Sequence, residues 1–392
     1  MKRVININDY RNLARRRLPP IVFDYLEGGA EDESSLQHNR EVLERIRLRS
    51  RRLVDVSQRN LHTMLFGSRL AAPLLLSPTG LNGLLWPKGD IILARVAAKH
   101  GIPLVVSTAS TSTLEDIARS CRAELWFQLY VVHRQLAATL LRRALAAGYT
   151  TLVLTADVPV NGYRERDLRN DFRADLRYTP KILWQGLTHP SWTWGRIRHG
   201  APALANLAQG SDASPEVQAA LLSRRMDATF DWSALSWLRD LWPHRLLVKG
   251  ITHPDDAVRC EACGVDGVIL SNHGGRQFDA CVSPVEILSA TARLTKLPII
   301  IDSGFRRGSE IAKVLAMGAQ AVGLGRAVLY GLAANGEAGA SHAVELIKNE
   351  LDLALAHLGC ASVDHLSSAD LLMTSEPGKE SSRRPSLTAT RT

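Results

Sequence analysis

The sequence predicts a (β/α)8 barrel, because one pattern repeats eight times from about residue 70. In each repeat a short apolar, β-branched run precedes a polar or glycine-bearing turn and an amphipathic helical segment, the order of a parallel βα unit. The predicted strands span residues 73–78, 102–108, 124–130, 151–157, 246–250, 267–272, 298–303 and 321–326. A doubly wound open sheet is the alternative, but its glycine-rich first turn is missing.

Helix signals lie between these strands. Thr113, Asp231 and Ser283 stand directly before helical stretches, where N-cap residues are preferred. Glycines that commonly end helices follow four of the stretches, at Gly101, Gly148, Gly264 and Gly318. The alternation of strand and helix signals therefore holds along the whole barrel region.

The chain ends differ from the barrel region. Residues 1–20 predict a capped amphipathic helix and lack the apolar run of a signal peptide, so we expect a cytoplasmic protein. Residues 374–392 are rich in Ser, Arg and Pro without periodicity, which predicts a disordered tail. We therefore expect one domain over residues 1–373.

Composition narrows the function classes. The chain has 392 residues, 45% of them hydrophobic and 22% charged, enough for a large core. Its five cysteines show no disulfide framework, and the Cys260–Cys263 pair lies in a helical pattern without a second ligand pair, so no metal site is expected. The net charge of +9 fits an acidic partner, but nucleic acid is not expected because no binding motif is present.

Polar residues stand at the predicted carboxyl ends of the strands, where barrels build their active sites. Lys249 ends an apolar strand and, if buried, needs an anionic or electron-rich partner. Residues 271–279, SNHGGRQFD, place His273 and Arg276 around two glycines, which suits proton transfer beside a bound anion. The loops after strands seven and eight often bind phosphate in barrels, and here they carry Gly304, Arg306, Gly325 and Arg326.

The chain resembles the FMN-dependent 2-hydroxy-acid dehydrogenase family over nearly its whole length. The motifs that carry the resemblance are FDYLEGGAEDE (23–33), PTG (78–80), WFQLY (126–130), TADVPVNGYRERD (155–167), LLVKG (246–250), SNHGGRQFD (271–279) and IDSGFRRG (301–308). A set of spaced motifs is far more specific than any one of them.

The resemblance implies an FMN cofactor. It implies that the phosphate is held by the four residues of the seventh and eighth loops, and that Asp302 bonds the ribityl chain. The residues that would surround the ring are Pro78, Thr79, Gly80, Ser107, Gln128, Thr155 and Lys249.

The resemblance also implies catalytic roles. His273 is the base and Asp157 orients it, while Arg164 and Arg276 grip the substrate carboxylate. Tyr25 and Tyr130 would hydrogen-bond the substrate, although Tyr25 could instead pack within the segment before the barrel.

Two residues bear on the substrate. Ala109 stands where the short-chain oxidases of the family carry tryptophan, and Gly80 stands where they carry alanine. The space left by Ala109 favours an aromatic group on the substrate. The resemblance implies an (S)-2-hydroxy acid such as mandelate, and Gly80 fits the members of the family that pass electrons to a quinone or other acceptor. The alternatives are an oxidase of lactate or glycolate, an isomerase of a phosphorylated substrate, and a non-catalytic membrane-bound flavoprotein.

An insertion of about residues 161–230 follows the fourth strand and is far longer than a usual barrel loop. Residues 176–211 contain no acid. This stretch interleaves the basic residues Arg177, Lys181, Arg196 and Arg198 with Trp184, Trp192 and Trp194. Such a composition suits the surface of an anionic membrane, and a mobile lid packed on the barrel is the alternative. The resemblance favours the membrane, since members of the family use this segment to bind it, and so implies peripheral attachment on the cytoplasmic side of the cell membrane. By resemblance, we also expect a homo-oligomer, commonly a tetramer.

Overall fold

The computed structural model describes residues 3–172, 179–200, 202–207 and 226–373. The strands are β1 (Ile46–Leu48), β2 (Thr63–Leu65), β3 (Ser68–Leu70), β4 (Leu74–Leu76), β5 (Leu104–Ser107), β6 (Leu125–Leu129), β7 (Thr151–Thr155), β8 (Arg245–Ile251), β9 (Gly267–Leu270), β10 (Ile299–Ile301), β11 (Ala321–Leu324) and β12 (Leu371–Met373).

The described helices, numbered in chain order, alternate with the strands from β4 onward. They are α1 (Ile7–Arg17), α2 (Pro20–Glu27), α3 (Ser34–Arg45), α4 (Asn82–Leu85), α5 (Gly89–His100), α6 (Leu114–Ser120), α7 (Arg134–Ala146), α8 (Glu165–Arg169), α9 (Pro180–Thr188), α10 (Pro190–His199), α11 (Trp232–Leu241), α12 (Pro254–Ala262), α13 (Pro284–Leu294), α14 (Gly308–Ala316) and α15 (Arg326–Leu358).

Strands β4 to β11 form a closed parallel barrel in which β11 pairs with β4. All eight predicted strands are confirmed, and closure rules out the open sheet. Seven of the eight strands are one or two residues shorter than predicted at their carboxyl ends. The predicted strand residues that lie beyond these observed ends belong instead to the turns that carry the site.

Apolar side chains fill the barrel, one from each strand in a continuous cluster. These are Leu75, Val105, Trp126, Val153, Leu247, Ile269, Ile300 and Ala321. The β2–β3 hairpin closes the amino-terminal end, where Phe66 lies 5.9 Å from the Trp126 ring. Because side chains fill the interior of the barrel, the space for an active site lies at the carboxyl ends of the strands.

All three predicted N-cap residues stand at helix starts, and two of them cap through their side chains. Thr113 and Asp231 each accept a backbone N–H bond of 3.0 Å at the start of α6 and α11. The Ser283 N–H donates to the Glu286 carboxylate at 2.8 Å. All four helix-ending glycines have positive φ.

The segment before the barrel lies across the carboxyl ends of the strands. Helix α1 begins at a capping residue, Asn6, as predicted. After α2 the chain reaches the opposite loop, where the Ala30 N–H donates to Gly275 O at 2.8 Å. This crossing brings the end of α2 to the site.

The remaining sequence predictions concern cysteines, metals and membranes. Cys260 is buried in α12, which raises the pKa of its thiol to about 12, and Cys263 follows the helix as a free thiol. Across the described ranges we find no cluster of side chains able to hold a metal ion, and no helix long and apolar enough to cross a bilayer. The tail predicted over residues 374–392 lies outside the described residues.

Candidate active site

A cavity of about 670 Å³ opens at the carboxyl ends of the barrel strands. Fifteen of the eighteen predicted site residues line it: Tyr25, Pro78, Thr79, Gly80, Ser107, Tyr130, Arg164, Lys249, His273, Arg276, Asp302, Gly304, Arg306, Gly325 and Arg326. The other three lie one layer below. Gln128 is bonded to Ser107 and Thr155, and Asp157 is bonded to His273.

His273 follows β9 in a left-handed backbone conformation with φ of 58°. The Ser271 hydroxyl accepts its N–H at 3.1 Å and holds this strained turn. The imidazole Nδ1 lies 3.0 Å from Asp157 Oδ1, and Nε2 lies 3.3 Å from the Tyr130 hydroxyl. A carboxylate on Nδ1 favours the tautomer with the proton on that nitrogen, so Nε2 is the basic atom.

Asp157 remains ionised in this site. Burial alone would raise the pKa of its carboxyl, but the charges of His273 and Lys249 and the hydrogen bond from His273 outweigh burial and leave the pKa below its usual value. The carboxylate can therefore stabilise a positive charge on the imidazole.

Lys249 has the anionic partner that its burial requires. Its Nζ donates to Ser271 Oγ at 2.6 Å and lies 3.3 Å from Asp302 Oδ2. Burial lowers the pKa of the ammonium, but Asp302 and Asp157 outweigh burial and the pKa is raised. The lysine is therefore a fixed positive charge at the base of the cavity.

Arg164 and Arg276 come together as predicted. Arg164 is 5% exposed, and its Nε donates to Arg276 O at 3.1 Å. Its Nη1 and Nη2 atoms are buried without a hydrogen-bond acceptor. A buried guanidinium in this state needs an anion, and a carboxylate matches its two parallel donors.

Sequence reasoning missed Asp167, which also lines the cavity. Its Oδ2 is 3.9 Å from Arg164 Nη1. Burial raises the pKa of its carboxyl to about 6, despite the opposing charge of Arg276. Its place three residues after Arg164, within the quoted RERD motif, was the available signal.

The phosphate corner differs from expectation at one residue. The predicted glycines line it, and a Cβ added to Gly325 would meet no atom nearer than Thr79 Cγ2 at 4.0 Å. The Arg326 guanidinium, however, donates to the carbonyls of Leu26, Gly28 and Gly274. Burial lowers its pKa to about 10, so Arg326 contributes charge while its hydrogen bonds hold the α2 segment.

Apolar side chains form part of the cavity wall that also carries His273 and the arginines. Ala109 contributes to it, as predicted. Sequence reasoning missed the larger members, which are Leu81, Leu85, Phe172, Leu204 and Met226. Leu204 and Met226 lie in the insertion, where no periodicity marked them.

The described part of the insertion includes α8, α9 and α10, of which α10 contacts α4. The prediction of a tryptophan-bearing membrane surface is wrong for Trp192. This side chain is buried, with 7% of it exposed, and its indole N–H donates to Leu84 O at 2.8 Å. Arg196 also turns inward, toward Gly83 O. Arg177 lies outside the described residues, and the Lys181 side chain is not described.

Comparisons with known proteins identify the family of the chain. Residues 14–373 match the model of the FMN-dependent dehydrogenases. The chain belongs to this family. It is 56% identical over 364 residues to the (S)-mandelate dehydrogenase of Pseudomonas putida, covering 93% of each chain. It is 41% identical over 370 residues to an L-lactate dehydrogenase of Chromohalobacter salexigens, covering 93% of this chain and 94% of the relative.

Among solved structures, a crystal structure of the monotopic membrane protein (S)-mandelate dehydrogenase matches with a TM-score of 0.92 and 55% identity. The match covers 95% of this chain and 100% of that one. As a member of this family, the chain is an FMN-dependent 2-hydroxy-acid oxidoreductase.

The cavity fits FMN. Its volume lies within the roughly 300–1,000 Å³ of cofactor sites. Lys249, Arg306 and Arg326 supply positive charge along it, and the open space beside Gly325 at the start of α15 suits a phosphate.

The spacing between Gly250 and Asp157 can be tested with a matched pair of variants. A Cβ on Gly250, at φ 105°, would lie 2.6 Å from Asp157 Cβ, whereas one on Gly264, at φ 71°, meets no atom within 4 Å. We expect Gly264→Ala to lower the free energy of unfolding by about 1 kcal/mol from backbone strain alone.

Gly250→Ala should cost more stability and also slow flavin reduction by substrate, because Asp157 must move from His273. Thermal unfolding and stopped-flow absorbance measure the two effects. Equal flavin reduction rates in the two variants would show that the close approach of Gly250 to Asp157 does not set the position of the Asp157 carboxylate.

Proposed function

We propose that this protein oxidises an aromatic (S)-2-hydroxy acid, (S)-mandelate, to the 2-oxo acid benzoylformate. The observation that carries the proposal is the buried Arg164 guanidinium, whose Nη atoms have no acceptor, within the same cavity as the His273–Asp157 pair. An anion-binding group and a base face each other beside an apolar wall. A 2-hydroxy carboxylate with an aromatic substituent matches all three.

In the proposed reaction, Arg164 and Arg276 bind the substrate carboxylate through their guanidinium groups. This places the hydroxyl-bearing carbon beside His273, whose Nε2 takes a proton from the substrate. Asp157 stabilises the imidazolium that forms, and Tyr130 hydrogen-bonds the substrate oxygen as it becomes a carbonyl. FMN would supply, when bound, the acceptor for the two electrons and for the second hydrogen that the substrate loses, whether that hydrogen leaves as a hydride or as a proton.

The roles proposed for the cofactor-binding residues follow their positions in the cavity. Lys249 would stabilise negative charge on the reduced ring, and Asp302, bonded to Lys249, would also meet the ribityl chain. The turn at Pro78, Thr79 and Gly80 lies along one wall. Ser107, with Gln128 and Thr155 beneath it, supplies neutral hydrogen-bond groups.

The size of the substrate pocket supports an aromatic acid. Ala109 leaves space that a tryptophan would fill, and the wall around it is apolar. The relatives agree, since identity to the (S)-mandelate dehydrogenase is 56% against 41% to an L-lactate dehydrogenase. An oxidase of lactate or glycolate remains the second candidate.

We also propose peripheral attachment to the cytoplasmic face of the membrane, where a quinone could accept the electrons. On α9, Trp184 and Leu187 are 68% and 75% exposed, and on α10, Trp194 and Ile197 are 65% and 71% exposed. Each pair is spaced i, i+3, so each helix presents one apolar stripe to solvent. Exposed tryptophans near basic side chains suit the lipid interface. Assembly into a homo-oligomer is part of the same proposal, by resemblance alone.

Anaerobic flavin bleaching tests the proposed reaction. We expect (S)-mandelate to bleach the bound FMN rapidly, (R)-mandelate, lactate and glycolate to do so slowly or not at all, and recovery in air to be slow. His273→Gln should keep FMN yet lose at least about 100-fold in the bleaching rate, because it lacks the base. Rapid bleaching by lactate or glycolate followed by rapid recovery in air would instead establish an oxidase.

The pKa of Asp167 predicts a pH-dependent affinity. Below its pKa of about 6 the carboxyl is neutral, and above it a negative charge forms beside the two arginines that bind the anionic substrate. We expect KM for (S)-mandelate to rise by up to about tenfold between pH 5 and pH 7. Asp167→Asn should remove this rise. Parallel KM profiles in the two proteins would exclude Asp167 as its cause.

Membrane attachment is tested by co-sedimentation with vesicles of phosphatidylcholine and phosphatidylglycerol. We expect the double variant Trp184→Ala, Trp194→Ala to partition at least about tenfold more weakly, since it loses two exposed apolar side chains. Leu294→Ala with Leu353→Ala removes two other exposed apolar side chains, which are 54% and 56% exposed, and serves as the control. Equal weakening in both double variants would contradict attachment through the insertion.

A further inference from the structure

A buried carboxylate lies behind the cavity wall, on the side away from the substrate. Asp90 is in the first turn of α5 and is 4% exposed, yet it does not line the cavity. Its Oδ1 accepts from Asn82 Nδ2 at 2.8 Å. Its Oδ2 accepts from the Thr111 N–H at 2.8 Å and the Thr111 hydroxyl at 2.6 Å. Burial raises the pKa of this carboxyl, and the three donors and the helix N-terminus offset part of that effect.

Asn82 connects Asp90 to the turn that lines the cavity. The same Nδ2 donates to Thr79 O at 2.9 Å, and Asn82 Oδ1 accepts from the Thr79 hydroxyl at 3.0 Å. The carbonyl and the hydroxyl of Thr79 are therefore both held by one side chain. Because the peptide unit is planar, a fixed Thr79 carbonyl also fixes the orientation of the Gly80 N–H.

Thr111 connects Asp90 to the neighbouring loop. Its hydroxyl accepts the Gly83 N–H at 2.9 Å, while the Leu81 N–H donates to Ala109 O at 2.9 Å. A Cβ added to Gly80 would lie only 3.0 Å from Ala109 Cβ, so the turn and Ala109 are already in close contact. The loops after β4 and β5 are thus tied together, with Asp90 at their junction.

We propose that Asp90 and Thr111 are positioning residues for the FMN and substrate site. They fix the distance between the Thr79–Gly80 turn and Ala109. This distance sets how closely a substrate approaches the flavin. Neither residue lines the cavity, so both act through residues that do. The inference rests on the proposed function of the cavity.

The test uses Thr111→Val, which keeps the side-chain volume but removes the hydroxyl that Asp90 and Gly83 share. Thr291→Val is the control, because it also removes a hydroxyl that hydrogen-bonds a neighbour, here Ile287 O in α13. Thr291 does not line the cavity, and it is fully buried where Thr111 is half-buried. Thr111→Ser keeps the hydroxyl. All three are studied as FMN-loaded protein by thermal unfolding, visible absorbance and anaerobic stopped-flow reduction with (S)-mandelate.

We expect the two valine variants to lose similar thermal stability. Only Thr111→Val should shift the visible band of the bound FMN and slow flavin reduction by about tenfold, because small misplacements are costly in oriented reactions. Thr111→Ser should reduce its flavin at nearly the wild-type rate. A reduction rate within twofold of wild type in Thr111→Val, with an unchanged flavin spectrum, would overturn the proposal.

Two other outcomes also decide the question. If Thr111→Val is purified without FMN, tenfold weaker binding of added FMN than in Thr291→Val supports the proposal, and equal binding overturns it. If Thr111→Val does not fold, Asp90→Glu, which keeps the charge and displaces it, is compared in the same way. Failure of wild-type protein to oxidise any 2-hydroxy acid would overturn the proposed function, while the FMN spectrum and affinity would still test Asp90 and Thr111.

Discussion

The site depends on a buried set of charges in which Lys249 lies between two carboxylates. Its ammonium is 3.3 Å from Asp302 Oδ2, and Asp157 raises its pKa as well. Breaking such a pair by removing one partner leaves an uncompensated buried charge, which typically costs about 3–5 kcal/mol. Asp157 in turn bonds His273 at 3.0 Å. The residues come from the ends of four different strands, so only the closed barrel brings them together.

This arrangement links cofactor binding to catalysis through electrostatics. The cavity holds more positive than negative side chains, and the excess includes the two substrate-binding arginines and the charges at the phosphate corner. An anionic cofactor and an anionic substrate are both attracted to such a cavity. Asp157 is paired with His273, and Asp302 is paired with Lys249. Asp167, with its pKa of about 6, is the carboxyl whose charge changes near neutral pH.

The barrel and its strand ends were predictable because the alternation of β-branched runs and capped helices is a local signal. Pairing of His273 with Asp157 joins residues 116 positions apart, and only the resemblance to a family indicated it. The buried position of Trp192 and the carbonyl bonds of Arg326 depend on which neighbouring element packs against each side chain, and composition does not contain that information. Asp90 was missed for a similar reason, since a carboxylate at a helix start is expected to face solvent.

The central claim is that Asp157 holds the His273 proton on Nδ1 and so makes Nε2 the base. Nitrogen-15 NMR of histidine-labelled protein at neutral pH tests it directly, with the His273 signals identified by their loss in His273→Gln. The account predicts a protonated Nδ1 and an unprotonated Nε2 in the wild-type protein, with this preference lost in Asp157→Asn. A wild-type His273 that carries its proton on Nε2 would contradict the account.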